Sequence, residues 1–253
     1  MEIVNYTKEE FSKLNKLKLS KDIISIESQL YIINKNNNPQ VIKKFKNDSP
    51  EFMANKIITL EDLYNNQDIQ NMDELIKQNK LFSVDNIIVG SIMDYIENIN
   101  LIEILYDSNI DYKIKVNYIK QIGYIIEKVN KLNNFFLNDI HEANYIIDKN
   151  GRLRVVDTDS MKTPNNKPIC PKFLSVNNNL LDVSLMKKYQ IKDITTVNPN
   201  YNTEIFSYIY IILNFISNNK SFYLVKTSEF FDYLQYLIDI GFNKEFIDLI
   251  SNI

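Results

Sequence analysis

The pattern of apolar and polar positions changes character twice along the chain. Thr7–Leu17 reads as a short amphipathic helix, with Thr7 and the acids after it as the N-cap region. From Asp22 to Lys46 the segments IISIESQLYIIN and QVIKKFK are rich in β-branched residues and are separated by the turn-prone KNNNP, which predicts an antiparallel hairpin or meander. Ser49–Asn65 predicts a helix with Ser49 as N-cap and Pro50 at the first helical position, and Phe52, Ile57, Leu60 and Leu63 recur roughly at helical spacing. Leu81–Met93 (LFSVDNIIVGSIM) returns to strand. Beyond Asp94 the chain turns mainly helical, at Leu101–Tyr106, Tyr112–Leu132, Glu204–Ile216, Glu229–Ile240 and Lys244–Ile250. Two short strands, Tyr145–Asp148 and Arg152–Val156, interrupt that series around the turn Lys149-Asn150-Gly151. Strands with one helix among them, then helices around a small hairpin, make an α+β order.

Composition narrows the function classes. A net charge of -3 leaves no basic excess for sequence-independent nucleic-acid binding, so no nucleic acid is expected as a main partner. The longest apolar run, Ile205–Ile216, is too short to span a bilayer and fits a buried core helix. The N-terminus lacks the basic-then-apolar layout of a secretory signal. The single cysteine, Cys170, excludes an intrachain disulfide and fits a reducing, cytoplasmic setting.

The chemistry-bearing stretch is Phe136–Met161, FLNDIHEANYIIDKNGRLRVVDTDSM. Asp139 precedes Asn144 by five residues, a hairpin follows, and Asp157 closes an apolar strand. Phosphoryl transfer from a nucleotide needs a carboxylate to orient the attacking hydroxyl and oxygen ligands for a metal that bridges the phosphates. A loop carrying Asp and Asn, and a hairpin returning a second Asp to the same cleft, supplies that set. Hard oxygen ligands of this kind suit Mg²⁺.

These segments resemble the protein kinase-like superfamily. NDIHEANYII is similar to the catalytic loop in its D-x-H-x-x-N form, as in divergent bacterial kinases and aminoglycoside or choline phosphotransferases. VVDTDS is similar to the segment bearing the metal-binding Asp, with Thr158 where D-F-G has Phe. The resemblance implies a bilobal α+β fold: a small antiparallel-sheet N-lobe over residues 1–93 and a mainly helical C-lobe over 94–253. It implies ATP and Mg²⁺ as cofactors, Asp139 as catalytic base, and Asn144 and Asp157 as metal ligands. QVIKKFK resembles the strand with the phosphate-contacting lysine, placing Lys43 there, or Lys44 if the register slips by one. Met93–Tyr95 resembles the hinge near the adenine, so Met93 and Tyr95 join the nucleotide-binding set. Glu204 stands where the central helix of the large lobe begins with Asp. His141, the only histidine, is expected to bond within the catalytic loop rather than act as a base.

Three features depart from the family pattern. The nucleotide-covering loop, near Ser25–Tyr31, has no glycine; Ser25 and Ser28 are its small residues. Lys56 occupies the position of the glutamate expected to pair with Lys43, where a like charge would repel, and Glu51 and Glu61 are out of register. The segment Asp157–Asn179 has no A-P-E, and its hydroxyl residues include Thr163 and Ser175. The expected function is therefore a divergent Ser/Thr-type protein kinase acting on a hydroxyl. A small-molecule phosphotransferase and a non-catalytic pseudokinase remain as alternatives.

Overall fold

A computed structural model of the chain describes residues 1–14, 17–18, 28–35, 38–167 and 199–216. Ser25, Cys170, Ser175 and the segments expected to be helical at 229–240 and 244–250 lie outside these residues. The architecture is α+β. Strands β1 (Glu2–Tyr6), β2 (Leu17–Lys18), β3 (Ser28–Lys35), β4 (Asn38–Phe45), β5 (Lys80–Val84) and β6 (Ile87–Asp94) form one sheet in the order β1-β5-β6-β4-β3-β2. Every pairing in it is antiparallel except β1 with β5.

Helix α1 (Lys8–Lys13) starts at a capping box. The Thr7 hydroxyl accepts from the Glu10 amide and the Glu10 carboxylate from the Thr7 amide. Its Phe11 stacks on Phe82 at 5.5 Å, over a small core of Ile33, Ile42, Phe82 and Ile92 on one face of the sheet. The helix is shorter than Thr7–Leu17, because Leu17 and Lys18 leave it to pair with β3. The strand region expected over Leu81–Met93 is two strands. A two-residue turn, Asp85-Asn86, joins them with φ of 50° and 65°, values that Asp and Asn tolerate better than other side chains.

Helix α2 (Pro50–Asn65) covers the opposite face of the sheet, where Phe52 meets Phe45 edge-on at 6.1 Å. Ser49 precedes it in extended conformation, without a side-chain cap bond. After the short α3 (Gln67–Gln70), the chain runs beside β9 (Leu153–Val155): the Ile76 amide donates to Val155 and the Val155 amide to Glu74. A second sheet, β7-β8-β9, comprises β7 (Asn98–Asn100), β8 (Tyr145–Asp148) and β9. The larger core lies around it, built by α4 (Leu101–Tyr106), α5 (Tyr112–Asn130) and α6 (Tyr201–Ile216). Gly123 allows α5 and α6 to touch, since a Cβ there would lie 2.7 Å from the Tyr208 hydroxyl. Among the described residues no helix is long and apolar enough to cross a membrane.

Candidate functional site

The β4 register settles which lysine faces the site. Ile42 lies with the small core under α1, so its neighbours Val41 and Lys43 point to the other face. Lys44 shares the α1 face, with its ammonium 5.7 Å from the Phe11 ring. Lys43 is only 5% exposed. Its Nζ donates to Asp157 Oδ1 and, at 2.5 Å, to Asp159 Oδ1.

Asp157 is presented by the β8–β9 hairpin. Leu153 and Val155 are buried, and the Val156 amide donates to the Asn144 carbonyl at 2.9 Å, which sets Asn144 beside the start of the acidic turn. Asp157 itself is left-handed, at φ 62° and ψ 33°. That conformation costs about 1 kcal/mol, and Asp, like Asn, adopts it more readily than other non-glycine residues. The 3₁₀ turn Thr158–Ser160 follows, pinned by the Thr158 hydroxyl donating to the Ile76 carbonyl at 3.0 Å.

Asp139, Asn144 and His141 form the second half. The Asn144 side-chain Nδ2 donates to the Asp139 carbonyl at 2.8 Å and to its Oδ2 at 3.0 Å, and His141 Nε2 lies 3.5 Å from the same Oδ2. Burial alone would raise the Asp139 pKa. The bond and charge of His141, with the Asn144 amide, outweigh it and hold the carboxyl below its ordinary value. Burial opposes charge on His141 as well, but Asp139 prevails and raises the imidazole. The loop is anchored from below by Glu204 of α6, which accepts from the Asn138 amide at 2.8 Å and the Asn130 side chain at 2.6 Å. Burial pushes Glu204 up to about 8 against these bonds.

The expected repulsion between Lys56 and Lys43 does not arise, because Asp159 stands between them. Lys56 Nζ lies 3.0 Å from Asp159 Oδ2, while Lys43 takes Oδ1. Gln78 adds a 2.8 Å bond to Oδ1, and its own oxygen accepts from Ser91. Burial would raise Asp159, but the two lysines dominate and hold it well below the carboxylate range. The motif match passed over Asp159, Gln78 and Ser160. The available signal was Lys56 itself: a lysine at helical spacing from Thr59, Leu60 and Leu63 lies on the buried stripe of α2 and requires an acid.

The other expected residues are placed less centrally. Met93 pairs with Val41 on the Lys43 face of the sheet, and the Tyr95 amide donates to the Pro39 carbonyl, so both lie where β6 leaves the sheet. Ser28 is buried opposite Phe45, and Ser28–Tyr31 belong to β3 rather than to a loop. Eight paired residues on each strand carry β3 back to that point. Thr163 is fully buried and donates to Asp62 at 2.5 Å, which leaves its hydroxyl inaccessible to modification in this conformation.

Among the described residues no group of three or more His, Cys, Asp or Glu side chains converges as a metal cage. One carboxylate, Asp157, and one amide, Asn144, still fit a hard cation such as Mg²⁺ that retains most of its waters. No protein-family model and no curated protein matches this chain.

Proposed function

We propose that the chain is an ATP- and Mg²⁺-dependent phosphotransferase with a two-lobed, protein kinase-like arrangement. Residues 1–93 would cover the nucleotide and residues 94–253 would carry the catalytic loop. The observation that carries this reading is the convergence of Lys43 from β4 on Asp157, two residues past β9, beside Asn144 and Asp139. Asp157 and Asn144 would hold the cation, which neutralises phosphate charge when bound. Asp139, kept ionised and oriented by Asn144 and His141, is placed to receive the proton of an acceptor hydroxyl. Lys43 supplies the cation facing the phosphates, and Met93 and Tyr95 line the exit of β6 toward the base.

The acceptor is best read as a hydroxyl on a protein, the Ser/Thr type. Between β6 and α5 the chain holds only the three-residue β7 and the six-residue α4, without the inserted helices that a small-molecule pocket would call on. One observation favours a non-catalytic binding module: the buried charges Lys43, Lys56 and Asp159 and the half-buried Asp157 balance one another. Incubation of the protein with γ-labelled ATP and Mg²⁺ decides between them. Transfer to itself or to a protein acceptor, lost in Asp139→Ala, supports the kinase reading. Absence of any transfer to protein or small hydroxylated acceptors refutes it.

A further inference from the structure

Lys56 and Asp159 are more deeply buried than Lys43 and Asn144, at 1% exposed each against 5% and 9%. Lys56 projects from α2 between two rings, 5.9 Å from the Phe45 centroid and 5.4 Å from Phe52, and its ammonium meets both Asp159 Oδ2 and, at 3.1 Å, Ser160 Oγ. Each oxygen of Asp159 thus serves one lysine. Asp157 is held differently. Its side chain is 27% exposed, Lys43 takes one oxygen, and the Ser160 hydroxyl donates to the other at 3.2 Å.

The two carboxylates therefore divide the work on Lys43: one is sealed and fixed from three sides, the other opens toward solvent. Resting on the phosphotransferase reading, we propose that Asp159, fixed by Lys56, is the positioning carboxylate of Lys43, replacing from the metal-binding turn an acid on α2. Lys43 then keeps a counter-ion when Asp157 turns to the cation. Without Asp159 the lysine has Asp157 alone, and ammonium and Mg²⁺ compete for one carboxylate. An acid introduced at position 56 in that background gives Lys43 a counter-ion from the helix, and Asp157 is released again.

The test uses the full chain and reads the Mg²⁺ concentration that gives half of the thermal shift induced by saturating ATP. Asp159→Asn, of nearly unchanged shape, is expected to raise that concentration about tenfold, and Lys56→Glu with Asp159→Asn to bring it back within about threefold of wild type. If Asp159→Asn does not fold because it strands the buried Lys56 ammonium, Lys56→Met with Asp159→Asn, which removes both charges of the pair and keeps the apolar stem between the rings, takes its place with the same expected direction, since Lys43 again has Asp157 alone. A merely structural pair lowers the melting temperature of the free protein but leaves the Mg²⁺ midpoint unmoved, and that result overturns the proposal. So does a double variant no better than the single one. A wild-type protein unshifted by ATP and Mg²⁺ overturns the phosphotransferase reading, and the proposal falls with it; a responsive wild type with an unchanged Asp159→Asn midpoint overturns the positioning role alone.

Discussion

Glu204 makes the stability of this protein depend on pH in a direction opposite to that of most carboxylates. Its carboxyl is buried under the loop that carries Asp139 and Asn144, and burial pushes it up to about 8 in the folded chain, against 4.5 for an ordinary glutamate. Below 4.5 both the folded and unfolded states hold the proton. Between 4.5 and 8 the folded state alone holds it, so the contribution of Glu204 to stability falls as pH rises through that window and is spent above it. The slope is about 1.4 kcal/mol per pH unit, which limits the whole effect to about 4–5 kcal/mol. Glu204→Gln keeps the shape and carries no proton. Its new amide would face the Asn130 amide, which is 2.6 Å away, but the buried Asn130 Oδ1 has no hydrogen-bond partner among the described residues and is at hand to accept after a flip. With no tryptophan in the chain, urea unfolding is best followed by far-ultraviolet circular dichroism. From about pH 5.5 to about pH 7.5 the stability of the variant should gain about 2–3 kcal/mol relative to wild type, since His141 and Asp139 titrate alike in both. A difference that stays constant across that range would show that Glu204 ionises normally, and the buried-anchor argument would fail.

Two further predictions concern how the site is held. Gly123→Ala should lose about 1–2 kcal/mol in thermal or urea unfolding, because its Cβ would press on the ring of the fully buried Tyr208 at 2.8 Å and the gain in helix propensity recovers only part of the overpacking; unchanged or increased stability would mean that α5 and α6 are not in contact there. Asp62→Ala removes a carboxylate that accepts from the Thr163 hydroxyl, the Asn165 amide at 3.2 Å and the Asn165 side chain at 2.7 Å. Hydrogen exchange at the amides of Thr163, Asn165, Asn166 and Lys167 should accelerate by about tenfold or more while β5 and β6 stay protected, and uniform exchange would show that the segment does not depend on α2.

Much of this site is local in sequence and was therefore readable. Asp139, Asn144 and Asp157 lie within one loop-hairpin-turn, where spacing alone brings Asn144 beside Val156. The expected helix at Ser49–Asn65 follows from Pro50 at its first position and from its apolar spacing, the hairpin at Tyr145–Val156 from its turn residues, and both are present. Features fixed by distant pairing were not legible. β1 carries too few residues to announce itself and is a strand only because β5, beyond α2, runs parallel beside it. The choice between Lys43 and Lys44 was open because the sheet is covered on both faces: Val41 and Ile42 are both buried, which erases the alternation that marks an inner face. Lys56 looked like a defect as long as the helix was compared with a pattern. Its partner, Asp159, sits two residues past the motif position, on an element packed against the helix only in three dimensions.

Calorimetric titration of ATP in excess Mg²⁺ asks whether Lys43, Asp157 and Asn144 together form the proposed nucleotide and cation site. The wild-type protein should bind one nucleotide per chain saturably, and that binding should be lost in Asp157→Asn, whose melting temperature without ligand reports that it is folded. Titration without heat in the wild type, or binding that survives unchanged in Asp157→Asn, would contradict it.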